Sequence, residues 1–454
     1  MRAGPTAIKT KTCEFQYLGV FAPLREILRM QSIKLLHTAD IHIGMENYGR
    51  IDPATGINAR VMDFLRRLSD VADYAIEQGV DLFVFAGDAY KTRDPNPTYQ
   101  REFARRIKKV ADAGIPVIML VGNHDLPALA KRATSIDIFG TLDVPNVTVG
   151  NREEVFQITC RRGQPLQVAT APYPLRSALV SRDEVQGKSL SELDGLLQSA
   201  MIDNIQALAA QVRQQADVPA ILVGHFSVNE ASHGSEKNIM IGRDAALPRS
   251  VLADPTWRYV ALGHIHKHQS LNGDHQPPVL YSGSIERIDF GEEHEPKGFV
   301  VAEIGDGPTT WEFIRGYKRQ AQPFITVCAD VTDAADPTAA VVAAIRAKPD
   351  LSEAVVRVIM KLRQEQEPLL VEREITRALE GAYFVAALQK EVERSDRIRI
   401  GAVSVESLTP AQLLAKYLQV KDVPGERAKL LLQHGEALIS AVDGGADSAQ
   451  LLAS

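Results

Sequence analysis

Five short apolar runs along the chain each end in side chains that commonly bind metal ions. A run of this length that stops at a glycine or a polar turn is typical of a buried strand. The runs and the residues after them are Ile33–Ala39 before Asp40 and His42, Val80–Ala86 before Asp88, Ile115–Val121 before Asn123, His124 and Asp125, Ala220–Val223 before His225, and Tyr259–Leu262 before His264 and His266. One such ending alone is most often a polar turn, but five favour a common site. Because ligands bind at the carboxyl edge of open α/β sheets, we expect the five endings to meet there.

Helical spacing separates the first three runs. Apolar residues recur every three or four positions over Asn58–Gly79 and again over Pro97–Ala113. Strands that alternate with helices predict parallel sheets with crossover connections. Short strands are expected over 144–172, and a long helix over Leu190–Gln215 precedes the fourth run. The pattern therefore predicts an α/β fold in which two stacked sheets are flanked by helices.

The last third of the chain carries no cluster of metal-type residues. We expect 309–322 to leave the core and a smaller α+β unit to follow. Its predicted elements are Phe324–Val327, Pro337–Ala347, Ala354–Leu362, Val371–Leu379 and Tyr383–Leu388. Thr409-Pro410 then predicts a helix start, and Pro424-Gly425 separates two helical apolar stripes. Such a helical hairpin needs something to cover it, either its own domain or a partner helix.

The side chains at the five endings suit two divalent cations. Strand side chains alternate faces, so Asp40 and His42 are expected to point the same way, as are His264 and His266. Seven donors are available if one carboxylate is shared, and Asp88 is the natural bridging ligand because it has two oxygens. Imidazole favours Mn, Fe or Zn over Mg while the oxygen ligands suit harder ions, so Mn is the leading choice.

The motifs D-x-H, G-D, G-N-H-D, G-H and G-H-x-H, in this order, resemble those of the calcineurin-like metallophosphoesterases. The flanking segments His37–Gly44, Tyr259–His266 and Tyr281–Ser284 resemble the SbcD-type branch, whose members are DNA repair exonuclease subunits. The resemblance is strong over roughly 31–305 and concerns only architecture beyond. It implies a four-layer αββα sandwich, a small α+β capping domain and a C-terminal helical hairpin. The implied boundaries are a disordered extension over 1–30, a nuclease domain over 31–308, a capping domain over 320–405 and a helical partner-binding segment over 406–445.

The resemblance also implies a role for each residue of the five endings. One metal ion would be held by Asp40, His42 and His266, and the other by Asn123, His225 and His264, with Asp88 shared. His124 would remain beside the phosphate as the general acid or transition-state donor. Asp125 would orient His124 as a carboxylate behind it.

One position departs from the pattern of the family. Archaeal and eukaryotic relatives commonly carry a second catalytic histidine three residues after the G-D aspartate, where this chain has Lys91. A lysine can contact phosphate as a point charge but is a poor proton donor near neutral pH. The balance between exonuclease and endonuclease activity is therefore left open.

Composition limits the setting in which such an enzyme would act. The net charge of −6 is no global nucleic-acid signature, so a DNA-binding face must be local or assisted by a partner. The three cysteines, Cys13, Cys160 and Cys328, are scattered, which fits a reducing cytoplasm and excludes a zinc knuckle. There is no apolar run long enough for a membrane span. Residues 1–30 are expected to be an extension or a misassigned start before Met30.

The leading hypothesis is a DNA nuclease subunit, a homodimer that pairs with an SbcC-like, SMC-type ATPase through its C-terminal helices. The alternatives are a small-molecule phosphodiesterase or phosphatase of the same fold and an inactive scaffold. Small-molecule enzymes of this fold usually end near the core, whereas this chain continues for about a third of its length, and no expected ligand is missing. Several other residues are expected to lie outside the site. His37 is expected to be a packed or hydrogen-bonded strand histidine, and His268 a surface residue. The basic helix face with Arg101, Arg105, Arg106, Lys108 and Lys109 is expected to be solvated rather than to contact DNA phosphates, and nothing in the spacing marks Arg243 and Arg287 as phosphate contacts.

Overall fold

The computed structural model describes residues 31–127, 132–175, 189–234, 245–348, 350–393, 410–421 and 423–443. The extension predicted for 1–30, Arg243 and the helix-capping Thr409 lie outside these residues. The strands in chain order are β1 (Ile33–Thr38), β2 (Leu82–Phe85), β3 (Val117–Leu120), β4 (Val147–Gly150), β5 (Glu154–Thr159), β6 (Pro165–Ala171), β7 (Ala220–His225), β8 (Ser227–Val228), β9 (Ala246–Leu247), β10 (Tyr259–Gly263), β11 (Gln269–Ser270), β12 (Val279–Tyr281), β13 (Phe299–Ile304), β14 (Thr310–Ile314), β15 (Phe324–Asp330), β16 (Val355–Arg363) and β17 (Phe384–Glu393). The helices are α1 (Ala59–Glu77), α2 (Pro97–Asp112), α3 (Asp137–Thr141), α4 (Leu190–Val212), α5 (Arg249–Leu252), α6 (Pro337–Arg346), α7 (Glu372–Ala378), α8 (Pro410–Val420) and α9 (Gly425–Asp443).

Two six-stranded sheets form the centre of the fold. Their strand orders are β14-β13-β1-β2-β3-β4 and β11-β12-β10-β7-β6-β5. Strands β1 to β4 run parallel to one another, and so do β6, β7, β10 and β12. All five predicted runs are strands of these two sheets, so the α/β class with stacked sheets is confirmed.

The main helices begin where the sequence supplies caps. The Asn58 side chain accepts a hydrogen bond from the backbone N–H of Arg60 at the start of α1. Asn96 does the same for α2, with Pro97 in its first turn, and Ser189 and Glu192 form a capping box on α4. Each cap satisfies backbone donors that the helix itself leaves free. The caps therefore define the residues at which these helices begin.

Three buried clusters account for the four layers. One cluster packs α1 and α2 against the first sheet, and another packs α4 against the second. A third, which includes Leu35, Val84, Ile221 and Ala261, lies between the two sheets. The strands are apolar on both faces because each sheet is covered by helices on one side and by the other sheet on the other.

A separate three-stranded sheet forms the capping unit. Strands β15, β16 and β17 are parallel, and α6 and α7 pack with them around their own core. The predicted elements of this region are all present, with bounds that differ by a few residues. The predicted exit over 309–322 is partly wrong, because β14 pairs antiparallel with β13 and extends the first sheet beyond 308.

Helices α8 and α9 pack against each other as the predicted hairpin. Leu418 is buried, and Leu414 lies against Gly435, where a Cβ atom would come within 2.2 Å of a Leu414 methyl carbon. Tyr417, Leu430, Leu431 and Leu438 are exposed. Among the described residues, no helix is both long enough and apolar enough to cross a membrane.

His37 on β1 is buried between the two sheets, as expected for a packed strand histidine. Its Nδ1 lies 3.0 Å from the Tyr259 hydroxyl on β10. Burial, with a smaller contribution from His268, lowers the pKa of His37 from 6.5 to about 3. The ring is therefore neutral in the folded protein at all moderately acidic pH values.

This depressed pKa predicts a pH-dependent loss of stability. The unfolded chain binds a proton at His37 below pH 6.5 and the folded chain does not, so the stability is full above that pH and falls as the pH drops toward 3. When the pH is lowered from 7 to 5, the unfolding free energy of the wild type should fall by about 2 kcal/mol more than that of His37→Gln. Urea unfolding with a chelator present measures this difference. The exposed His434→Gln variant is the control. If the unfolding free energy of His37→Gln falls with decreasing pH as steeply as that of the wild type, the prediction is contradicted.

Candidate metal centre

The five polar endings meet at one rim, at the carboxyl ends of β1, β2, β3, β7 and β10. Their ligand atoms form three overlapping groups, and within each group the atoms lie within 4.8 Å of one another. The groups are Asp40, His42 and His266; His42, Asp88 and His124; and Asp40, Asp88 and His225. Asn123 joins them, because its Oδ1 lies 3.1 Å from both His225 Nε2 and His264 Nδ1. The structure thus brings together all seven residues that were predicted as ligands.

The backbone at these positions is not that of a strand. Asp40, His42, Asp88 and His264 have positive φ angles of 53°, 48°, 60° and 95°. The prediction that strand alternation aims Asp40 and His42 in one direction is therefore wrong in its reason, since β1 ends at Thr38. Left-handed backbone at residues other than glycine costs free energy and clusters at functional sites. Here it turns successive side chains into the rim.

Two glycines are required by close packing at the rim. A Cβ atom at Gly122 would lie 2.2 Å from Asp88 Oδ1, and one at Gly87, which also has a φ of 97°, would lie 2.3 Å from His225 Nδ1. The φ of Gly122 is not positive, so no left-handed turn requires a glycine there. Gly122 instead lets the end of β3 approach the Asp88 carboxylate.

The donors predicted for one metal ion form a group that is centred on two facing imidazoles. His42 Nε2 and His266 Nε2 lie 3.0 Å apart, and Asp88 Oδ2 lies 3.7 Å from His42 Nε2. Burial lowers the pKa of His42 well below 6.5, so its ring is neutral and offers a lone pair. Two nitrogens at this separation fit a shared cation with metal–nitrogen distances of about 2.1 Å.

The donors predicted for the other metal ion form a second group, which is centred on His225. Its Nδ1 donates to the carbonyl of Ala86 at 2.7 Å, which directs Nε2 toward Asn123 and toward Asp88 Oδ2 at 3.4 Å. Burial opposes the charged form of His225, yet the Asp88 and Asp40 carboxylates raise its pKa to about 9. The surroundings of Nε2 therefore attract positive charge, and a proton and a metal ion compete for this nitrogen.

Asp88 lies between the two groups. Its Oδ2 faces both His42 and His225, while its Oδ1 accepts the backbone N–H of His124 at 2.8 Å. Burial disfavours the charged carboxylate, but His225, His124 and His42 outweigh this and lower the pKa of Asp88. The residues present fit two divalent cations that share this carboxylate.

His124 is oriented by the backbone of Lys91. Its Nδ1 donates to the Lys91 carbonyl oxygen at 2.8 Å, and its ring lies edge-on to His42, with the centroids 4.8 Å apart. Nε2 is thereby left as the nitrogen that can serve a substrate. His124 also belongs to one of the three groups of ligand atoms, together with His42 and Asp88.

The predicted role of Asp125 in orienting His124 is wrong. Its buried carboxylate accepts hydrogen bonds from the backbone N–H groups of Asp88 and Gly122, at 2.9 and 3.0 Å, and from Ala89. The Ser135 hydroxyl donates a further bond to it. Asp125 therefore fixes the turn that presents Asp88. The signal that predicted it was local in the sequence, but two of its partners, Asp88 and Ala89, follow a different strand, β2.

Lys91 contributes its carbonyl oxygen, a group that every residue type provides. Its half-buried ammonium has its pKa lowered by burial, with Asp289 opposing this shift. Because the backbone carbonyl accepts the hydrogen bond from His124, this bond does not depend on whether a histidine or a lysine occupies the position. A contact between the ammonium and phosphate stays a prediction.

Sequence reasoning missed two residues near the ligands. The Glu292 carboxylate lies 2.9 Å from Nδ1 of His266, and the Tyr173 ring lies against those of His264 and His225. Burial alone would raise the pKa of Glu292, but Lys297 and His266 lower it to about 2. Neither residue has a motif or a spacing that links it to the five endings.

Other residues considered for phosphate binding are occupied elsewhere. The Arg287 guanidinium donates to the carbonyls of Glu292, Glu295 and Gln322, so it fastens the chain where it leaves the core. The basic face of α2 is paired within the protein, through Glu102, Asp112 and Asp73. His268 was expected at the surface, but it is half-buried and stacks on Phe313 with the ring centroids 3.8 Å apart.

Comparison with known proteins agrees with this arrangement. The profile of the family described as Calcineurin-like phosphoesterase matches residues 33–268. The chain is similar to the SbcD component of the SbcCD nuclease of Rhodobacter capsulatus, with 27% identity over 291 residues, which are 61% of this chain and 67% of the relative. The SbcD component from Escherichia coli K12 is 29% identical over 283 residues, 61% of this chain and 66% of the relative. The chain thus spans about two thirds of the length of these relatives.

A solved structure of a dimetal phosphatase from Danio rerio is also similar to part of the chain. It has a TM-score of 0.36 and 10% sequence identity, and the match covers 62% of this chain and 98% of that one. This similarity has no bearing on the substrate.

Proposed function

The chain belongs to the calcineurin-like phosphoesterase family, and from this we propose that it is a metal-dependent DNA nuclease, the phosphodiester-cleaving subunit of an SbcCD-like repair complex. The observation that carries the proposal is the convergence of Asp40, His42, Asp88, Asn123, His225, His264 and His266 at one rim with His124 beside them. The names of the two bacterial relatives, each a nuclease subunit, support a nucleic acid as the substrate.

The division of labour at the rim follows from chemistry. Two divalent ions, Mn in our proposal, would activate water and neutralise the charge on the phosphate. Asp40, His42 and His266 would hold one, Asn123, His225 and His264 the other, and Asp88 both. The Lys91 carbonyl and the Asp88 carboxylate hold His124 from two sides. His124 can then supply a proton to the oxygen of the departing strand.

The capping unit supports a large substrate. It packs on the core beside the rim, where Tyr48 contacts Phe324 of β15 and Phe384 of β17 in edge-on geometry. Phe290, which contacts Phe324 as well, lies two residues before Glu292, whose carboxylate is 2.9 Å from the ligand His266. A substrate bound at the rim would therefore lie close to the junction of core and cap, which suits a polymer better than a small phosphate ester.

One assay separates the candidate functions. Purified protein with MnCl₂ is incubated with end-labelled duplex DNA, with single-stranded DNA and with bis-p-nitrophenyl phosphate, and EDTA serves as the blank. Mn-dependent cleavage of DNA is the expected result. Cleavage of the small ester alone would favour a small-molecule phosphodiesterase, and bound metal without cleavage of any substrate would favour an inactive scaffold.

The C-terminal hairpin is proposed to bind the ATPase partner. Its inner residues Leu414 and Leu418 hold α8 against α9, whereas Leu430, Leu431 and Leu438 of α9 are exposed. An exposed apolar helix face of this kind suits binding of a partner helix, here the coiled-coil base of an SbcC-like, SMC-type ATPase. Leu414 and Leu418 are unsuitable test positions, since a charge there would disrupt the hairpin itself.

We expect Leu431→Glu combined with Leu438→Glu to abolish co-elution with the ATPase on size exclusion. Charges on the exposed face remove the apolar contact and leave the core and its rim untouched, so Mn-dependent cleavage by the isolated nuclease chain should persist. A matched control places the same two charges at the exposed polar positions Gln433 and Lys429 of α9. Undiminished co-elution of the leucine variant would place the interface elsewhere.

A further inference from the structure

A buried ion pair lies directly behind His266. The Glu292 carboxylate lies with Oε1 at 2.9 Å from His266 Nδ1 and with Oε2 at 2.9 Å from Lys297 Nζ. The Lys297 ammonium also donates to the backbone carbonyl of His266 at 3.2 Å. The three residues therefore form a closed ring of contacts that holds both the imidazole and the main chain of His266.

The polar groups of this ring are well satisfied. Besides its contacts in the ring, Glu292 Oε2 accepts the backbone N–H of Ile288 at 2.8 Å, and Lys297 donates a third bond to Glu295 at 2.9 Å. Both Glu292 and Lys297 are almost completely buried. A buried ion pair is weakly justified by stability alone, because desolvation offsets the attraction between its charges. Its position behind a ligand histidine suggests a second reason for it.

The turn that carries Glu292 is held from two sides. The 3₁₀ turn Phe290–Glu292 packs Phe290 against Phe324 of the cap, with the centroids 5.0 Å apart. The next residue, Glu293, accepts the backbone N–H of Thr326 on β15 at 2.9 Å. Core and cap together thus determine where the Glu292 carboxylate lies, which makes it a rigid support.

We propose that Glu292 is a positioning residue for His266, which keeps a hydrogen on Nδ1 and directs the lone pair of Nε2 toward a metal ion. The inference rests on the proposed metal-dependent function and adds to it a residue outside the five motifs. Glu292 itself is too far behind the imidazole to be a ligand of the same ion, and Lys297 fixes its carboxylate in place. Carboxylates that hold ligand histidines in this way typically alter metal affinity by about 10–100-fold.

The test is a calorimetric titration of the full chain with MnCl₂, with bound Mn counted by electron paramagnetic resonance. In Glu292→Gln, one of the two Mn sites should weaken by about 10–100-fold and the other should be little changed. Glu295→Gln is the matched control, because it removes a carboxylate from the same lysine without touching His266. We expect the Glu295→Gln titration to match that of the wild type.

A second measurement needs no Glu292 variant. In metal-free wild-type protein that carries ¹⁵N-labelled histidine, the His266 ring should already bear its proton on Nδ1, with the resonance assigned from His266→Gln. This decides the question even where Glu292→Gln fails to fold. A proton on Nε2, or unchanged Mn binding in Glu292→Gln, would overturn the inference alone. Wild-type protein that binds no Mn would overturn the proposed function as well.

Discussion

Asp88→Ala is expected to lose both metal ions and, with them, hydrolysis. The Asp88 carboxylate faces His42 at 3.7 Å and His225 at 3.4 Å, one histidine from each group of donors. Two ions supply several kcal/mol of transition-state stabilisation, so the rate should fall by roughly 10³-fold or more. Plasma emission spectroscopy gives the metal content, and cleavage of end-labelled DNA gives the rate.

Two comparisons make this prediction specific to a shared ligand. His42→Ala and Asn123→Ala each remove a donor from one group only, so each should lose mainly one ion. Asp88→Asn keeps the shape of the side chain and an oxygen for the backbone N–H of His124, and separates the loss of charge from a loss of packing. Retention of two ions by Asp88→Ala would refute the bridging role.

His124→Ala is expected to keep both metal ions and DNA binding while cleavage falls by about 10²–10⁴-fold, the usual contribution of a general acid. The physical reason is the hydrogen bond of 2.8 Å from Nδ1 to the Lys91 carbonyl, which occupies Nδ1, so that the second proton of the imidazolium, on Nε2, is the one that can pass to the leaving oxygen. Single-turnover cleavage with saturating enzyme measures the chemical step, and Mn titration measures the metals.

Lys91→Ala separates the two atoms that this residue offers. The substitution keeps the carbonyl that orients His124 and removes the ammonium, so we expect a weaker effect than that of His124→Ala, confined to KM.

Loss of a metal ion in His124→Ala would make His124 a ligand instead of a proton donor. A near wild-type cleavage rate in that variant would remove it from the mechanism.

The sequence alone determined the class of fold and the group of residues at the rim. Apolar runs with the length of buried strands, alternating with capped amphipathic helices, are local patterns, and local patterns report secondary structure directly. The metal-type residues follow those runs immediately. Because the strands Ile33–Thr38 and Leu82–Phe85 lie parallel in one sheet, Asp40 and Asp88 necessarily meet at the same edge.

The tertiary structure alone decided what holds those residues in place. Glu292 lies 26 residues beyond His266, and Asp125 accepts a hydrogen bond from the backbone N–H of Asp88, 37 residues earlier, so no spacing in the sequence links either pair. The left-handed backbone of Asp40 and His42 replaces the strand alternation that the pattern suggested. Likewise, the apolar stripe of Pro410–Val420 does not reveal that Leu418 faces inward. Each of these depends on how separate elements pack, because hydrogen bonds and burial between distant segments arise only once the sheets, the turn and the cap are assembled.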